Sequence, residues 1–187
     1  MPKKAYIVAV CLGVSAILTL CQLTKNEEGG SLPIESARIE DNDVQSWTEE
    51  KELIKFNSNN MYDLVNGGAV EYIDNGMIEG FQQKMGKAGT GYYFIEWLMD
   101  FGSAENASEM YTKKLNQFQS SKEAAGDFPE SVAFLDNGLL YGYDAYAHFG
   151  KYFLWLNFDG YGANKSEAKQ NAIGFLIVIK SKIDALQ

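Results

Sequence analysis

Gly91-Tyr-Tyr-Phe-Ile-Glu-Trp-Leu-Met-Asp-Phe101 is the stretch that decides the fold. Successive side chains of a β-strand point to opposite faces. Tyr93, Ile95, Trp97, Met99 and Phe101 therefore share one face, and Tyr92, Phe94, Glu96, Leu98 and Asp100 share the other, which is mixed. Upstream, Gly80 to Lys87 reads as a strand joined to this one across Gly86-Lys-Ala-Gly89-Thr-Gly91, a hairpin signal. Downstream, Ser131 to Leu135 and Leu139 to Phe149 are strands around Asp136-Asn137-Gly138, where Asn-Gly supplies the positive φ angles of a tight turn. Gly150 turns the chain again into Tyr152 to Phe158, and Glu52-Leu-Ile-Lys-Phe56 is a further short strand.

Helical spacing fills the gaps. Asn59 to Asn75 carries Met61, Leu64, Val65, Ala69, Tyr72 and Ile73 on one stripe, with Gly76 as the stop. Ser103 caps a helix reaching about Ser120, with Ala104, Ala107, Tyr111, Leu115 and Phe118 inward. Asn164, with Glu167 three residues on, has the spacing of a capping box for Lys165 to Leu186. The Phe175-Leu-Ile-Val-Ile179 run in that helix is apolar nearly all round, so it should be well buried. The order β-α-β-β-α-β-β-β-α, with strands joined by tight turns, describes an α+β fold: an antiparallel sheet covered by about three helices.

The whole chain has 187 residues, with 16 Lys plus Arg against 25 Asp plus Glu and a net charge of -9. Its two cysteines, Cys11 and Cys21, both lie in the apolar N-terminal stretch. These counts exclude a disulfide scaffold, a Cys/His zinc site and a nucleic-acid binder relying on bulk positive charge. Ala5 to Leu23 runs 19 residues without a charge behind Lys3 and Lys4. As a helix it reaches roughly 28 Å, about the thickness of a bilayer core. The basic flank keeps the N-terminus in the cytoplasm and sends the rest across. Residues 1–23 are thus a signal or membrane-anchor segment, open to retention, to lipidation at Cys21 (where Leu20 stands in place of the usual small residue) or to cleavage. Residues 24–50, rich in acids and containing Gly29-Gly30-Ser31 and Pro33, read as an acidic tether, and residues 51–187 as one domain.

Val65-Asn66-Gly67-Gly68-Ala69, followed by Tyr72 and Gly76, is the most distinctive motif. Two glycines inside a helical pattern cost about 1 kcal/mol each relative to alanine, so something should offset them. One reason is close approach of the helix to the sheet, with Asn66 bonded to neighbouring backbone. The other is a ligand cleft lined by Asn66 and the exposed backbone of Gly67 and Gly68. The run resembles an uncharacterised family of exported bacterial domains with the signature Tyr-x-x-(Ile/Val)-Asn-Gly-Gly-Ala-Glu-x-Tyr-x-x-x-Gly-Phe. Tyr62, Val65, Asn66, Gly67, Gly68, Ala69, Tyr72 and Gly76 match it. Val70 stands where the acid is expected, with Glu71 one place later, and Met77 stands where phenylalanine is usual. The resemblance implies an envelope-facing α+β domain and no known activity.

Other chemistry-bearing residues have plainer explanations. Asp41, Asp43 and Glu52 have the spacing of calcium ligands, but the glycine of a calcium loop is missing, and an acidic tether explains the charges. His148 is the only histidine, and a sheet histidine accounts for it better than a nucleophile's base, since Gly-x-Ser-x-Gly is absent. Tyr92, Tyr146 and Trp155 would make a platform for a sugar or peptide on a sheet face left uncovered; with helices on both faces they are core.

The reading is an exported, membrane-tethered, non-catalytic binding or accessory module of the bacterial cell envelope. Its domain faces the periplasm or the cell exterior, with a candidate ligand site at Asn66, Gly67, Gly68 and Glu71. Its partners are the membrane, through the N-terminal segment, and an envelope ligand or protein, with no nucleic acid, cofactor or metal. The alternative is a hydrolase of envelope polymers using two carboxylates, with Glu71 and Glu96 nearest to the motif.

Overall fold

The alternation of residues 92–101 is borne out in three dimensions and organises everything around it. The computed structural model describes residues 32–117, 122–123, 132–136 and 142–186. A 3-10 turn, Ile34–Ala37, leads into β1 (Trp47–Asn57). A helical block follows: α1 (Tyr62–Val65), a 3-10 turn (Asn66–Gly68) and α2 (Ala69–Asp74). Then come β2 (Glu79–Lys87), β3 (Tyr93–Asp100), α3 (Ala104–Gln117), β4 (Lys122–Glu123), β5 (Val132–Asp136), β6 (Tyr143–Phe149), β7 (Tyr152–Asp159) and α4 (Lys165–Asp184). The strands form one antiparallel sheet in the order β1-β2-β3-β7-β6-β5-β4, so the fold is α+β, as expected.

β3 lies between β2 and β7, with Trp97 opposite Gln82 and Trp155, and Glu96 opposite Gln83 and Leu156. Phe94 and Leu98 face the core beneath α4, whereas Trp97 and Met99 face the core beneath α1, α2 and α3. On the α4 side, Trp47 packs edge-on against Phe175 (ring centroids 4.9 Å apart) and Phe94 (5.4 Å). On the other side, Trp97, Trp155 and Tyr146 stand in a cross-strand row with nearly parallel rings, 5.6 and 6.0 Å apart. Close strand packing leaves Gly80 no room for a side chain: a Cβ there would sit 2.5 Å from the Leu98 carbonyl and 2.7 Å from the Phe56 ring.

The local signals act where the sequence places them. Asn164 caps α4 by accepting the Glu167 N–H (3.3 Å). The reciprocal arm differs from a capping box, because the Glu167 carboxylate accepts from the Asn164 side-chain amide (2.7 Å) while the Asn164 backbone N–H goes to the Tyr161 carbonyl. Ser103 Oγ accepts the Asn106 N–H at the start of α3. Gly76, at φ +87°, ends α2 as a left-handed stop. The α4 helix is less enclosed than its composition implies, since Ile177 is exposed while Phe175, Leu176 and Ile179 are buried.

Two expectations need correction. Residues 33–50 are not a loose tether, because Ile34, Ala37, Ile39 and Trp47 are all buried in the α4-side core. The compact unit starts at Pro33, and β1 begins at Trp47 rather than Glu52. The reason is a contact distant in sequence: the Gln83 amide donates to the Ile39 carbonyl (2.8 Å) and accepts the Ile39 N–H (3.1 Å). The helix expected over Asn59 to Asn75 is broken in three, because Asn66 adopts φ +50° and ψ -131°. The N-terminal segment, Cys21 included, lies outside the described residues. Among the described residues, no helix is long and apolar enough to cross a membrane.

A fragment starting at Lys51 should therefore lose cooperative urea unfolding, while residues 33–187 retain it. Loss of Trp47 alone is expected to cost about 3–5 kcal/mol, measurable as a lower urea midpoint of Trp47→Ala.

Candidate functional site

Asn66, Gly67 and Gly68 form an exposed turn between two short helices. Asn66 sits close to the first central position of a type II′ turn, where glycine is at home and a side chain is strained. Neither glycine uses its special freedom. Only φ values in the left-handed range would require glycine, and neither residue adopts one, Gly68 lying at φ -72°. A Cβ on either would meet nothing within 4 Å. Close approach to the sheet, one of the two reasons the sequence offers, therefore does not account for the glycines, although Met61, Ala69 and Tyr72 on either side of them are buried against it. Tyr62 and Val70, on the helices either side of the turn, are exposed large side chains at 48% and 44%.

Glu71 lies one turn further on and is tied to α3. Its carboxylate accepts from Lys114 Nζ and from Gln117 Nε2, each at 2.6 Å. The same Lys114 ammonium stands 4.6 Å from the Tyr72 ring centroid. Asn75 continues the link, donating to the Glu71 carbonyl and accepting from Lys113 Nζ. Burial, followed by the charges of Glu71 and Asp144, pushes the Tyr72 hydroxyl well above its ordinary range. Tyr146 moves the same way through burial and then Asp144. Asp144 in turn accepts from Trp155 Nε1 (2.7 Å) and Asn157 Nδ2 (2.8 Å). These groups make a polar border to the aromatic row on this face of the sheet.

The two-carboxylate hydrolase loses its pair. Glu96 points to the opposite face from Trp97, is fully buried beneath α4, and among the described residues neither of its oxygens has a hydrogen-bond partner. Burial pushes its carboxyl up to about 8, with Lys182 pulling the other way. Glu71 is engaged with Lys114 over the other face, so the two acids flank no common cleft.

The remaining candidates are also accounted for. Asp41 Oδ1 accepts the Glu49 N–H, and Asp43 Oδ2 accepts the Glu40 N–H and pairs with Lys182. Among the described residues, no group of three or more His, Cys, Asp or Glu is placed to hold a metal ion. His148 packs 5.1 Å from the Tyr111 ring, and burial lowers its pKa. Tyr92 is stacked on Tyr161 (4.0 Å) on the α4 side, whereas Tyr146 and Trp155 lie on the other, so the three form no single platform.

Lys114 escaped the sequence reading although a signal for it existed. It falls three residues after Tyr111 on the inner stripe of α3, and a lysine on such a stripe implies a buried acidic partner. Gln83 gave no comparable signal, because its partner Ile39 is 44 residues away.

No protein-family model matches the chain, and no curated protein matches it in sequence. Among solved structures, the extracellular domain of PknH from Mycobacterium tuberculosis is similar, with a TM-score of 0.54 over 81% of this chain and 95% of that one. The two sequences are 10% identical, so the likeness is one of fold.

Three substitutions probe the turn. Gly67→Ala and Gly68→Ala should each raise stability by up to about 1 kcal/mol, as alanine does at an unstrained helical site. Asn66→Gly should add about 1 kcal/mol by relieving the positive φ. Lys114→Ala should instead cost about 1–2 kcal/mol, through lost hydrogen bonds to a half-buried carboxylate and lost packing on Tyr72. Urea midpoints at constant slope would read all four.

Proposed function

We propose that the chain is an exported, membrane-tethered, non-catalytic binding or accessory module of the bacterial cell envelope, with its ligand site on the Asn66–Gly68 turn beside Glu71. The uncharged stretch from Ala5 to Leu23 and its basic flank support export and tethering. The likeness in fold to a domain that is itself extracellular is consistent with a place outside the membrane.

One observation carries the binding site. The turn holds a strained asparagine and two glycines at the surface, and the packing around them gives no return for that cost. Strained backbone persists where function needs the shape, and glycine lets a ligand come close to backbone N–H and C=O groups. Tyr62 and Val70 add exposed apolar contact on either side, and Glu71 adds an acceptor whose position Lys114 and Gln117 fix.

The test is thermal unfolding of residues 24–187 against sugars, peptidoglycan fragments, peptides and lipids. A ligand at a hundred times its dissociation constant adds about 2.7 kcal/mol of stability. The expected result is a shift that disappears in Gly67→Ala and Asn66→Ala although those variants remain folded. A shift that survives in both would move the site elsewhere, and no shift from any compound would remove the small-ligand reading.

A further inference from the structure

Residues 33–46 cross the α4 face of the sheet as a strap. Ile34, Ala37 and Ile39 peg it into the core. Besides the Lys55–Glu35 ion pair and the Ala88 N–H on the Ser46 carbonyl near its two ends, two polar fastenings hold its middle. One is the Gln83 amide on both backbone groups of Ile39, and the other is the Lys182 ammonium on Asp43 at 2.8 Å. Burial opposes ionisation of Asp43, but its bonds to Lys182 and to the Glu40 N–H outweigh that and keep its pKa low.

Glu96 lies directly beside these fastenings. It is the cross-strand partner of Gln83, it is fully buried, and among the described residues neither carboxyl oxygen has a hydrogen-bond partner. From α4, Lys182 faces it, already bonded to the strap. From β1, Glu49 is drawn in by Gln83 Nε2 at 3.2 Å. On β7 and β6 the neighbours are Leu156 and Ala145, which offer no side-chain donor. An ionised carboxylate in such a site is strongly disfavoured unless water or a cation reaches it.

We propose that Glu96 is a proton-operated latch for the strap: residues 33–46 lie closed while Glu96 carries its proton, and they loosen when that proton passes to solvent. Both routes that relieve the buried charge undo the strap. Water reaches the carboxylate when the strap lifts from Gln83, and Lys182 reaches it by leaving Asp43. Burial holds the closed-state carboxyl near 8, against an ordinary 4.5. An acid raised in the closed state stabilises that state fully below its open-state value, and the advantage drains away as pH rises to the closed-state value. The latch is therefore tightest in acid, weakens between about pH 4.5 and 8, and changes no further above that.

The sequence supplies its own probe, because Arg38 is the chain's one arginine and lies between buried Ala37 and Ile39. Cleavage of the full chain by an arginine-specific protease is followed from pH 5 to 9, each rate being divided by that on a free peptide of residues 34–43. The wild-type ratio should rise about tenfold or more between pH 5.5 and 8 and then level off. Glu96→Gln and Glu96→Leu should be flat, and the second keeps the test open if the first folds poorly. Exchange of the Ile39 amide, corrected for intrinsic rate, should follow the same profile while the β3 amides stay protected. A flat wild type, an equal rise in both variants, or loss of protection in β3 together with Ile39 would each overturn the latch.

Discussion

A strand that is apolar on both sides cannot rest against water on either, and β3 is such a strand. Burying Phe94 and Leu98 requires α4, while burying Trp97 and Met99 requires the helical block and α3. The two-layer solution of a sheet with one covered face is closed to this sequence. The rest of the architecture supplies two covers, including a segment of irregular chain pressed into service where α4 does not reach. The aromatic surplus of the strands matches this demand, since large rings fill a three-layer core with few side chains.

The same enclosure explains the polar anomaly at Glu96. Among the even positions of β3, Glu96 falls where α4 and the strap meet, while Asp100 at the strand's end reaches Lys151 and the Gly102 N–H. A carboxylate at the strand's end finds donors, and one at its middle finds none. The Glu71 clip shows the contrasting arrangement on the outer layer. There an acid, a lysine and an amide from two helices satisfy one another, so the charge is fixed without being isolated.

How much of this was legible in the sequence follows from the range of each interaction. The β2–β3 hairpin, the cap at Asn164 and the alternation of β3 are set by residues within a few positions of one another, and they could be read directly. The Asn137-Gly138 turn lies outside the described residues, and beside it Asp136 pairs with Tyr143 rather than closing a two-residue turn. The strap could not, because Ile34, Ala37 and Ile39 follow no helix or strand period and owe their burial to Gln83. The break at Asn66 was hidden for the opposite reason: the helical stripe resumes in phase after it, so periodicity alone sees one helix. At the candidate site, the motif's place in the chain was visible, and its exposure was not. Whether a glycine is squeezed or open depends on what packs over it, and only the assembled domain decides that.

The α4-side core joins the two ends of the domain. Trp47 meets Phe175, and Asp43 meets Lys182, across most of the folded length. Contacts of that separation pay their loop-closure entropy late. A chain emerging N-terminus first cannot complete this face until α4 is free. Until then Trp47, Ile39 and the inner side of β3 have nothing to close against. The order of synthesis thus keeps this face open until α4 has emerged, and that helix acts as its seal.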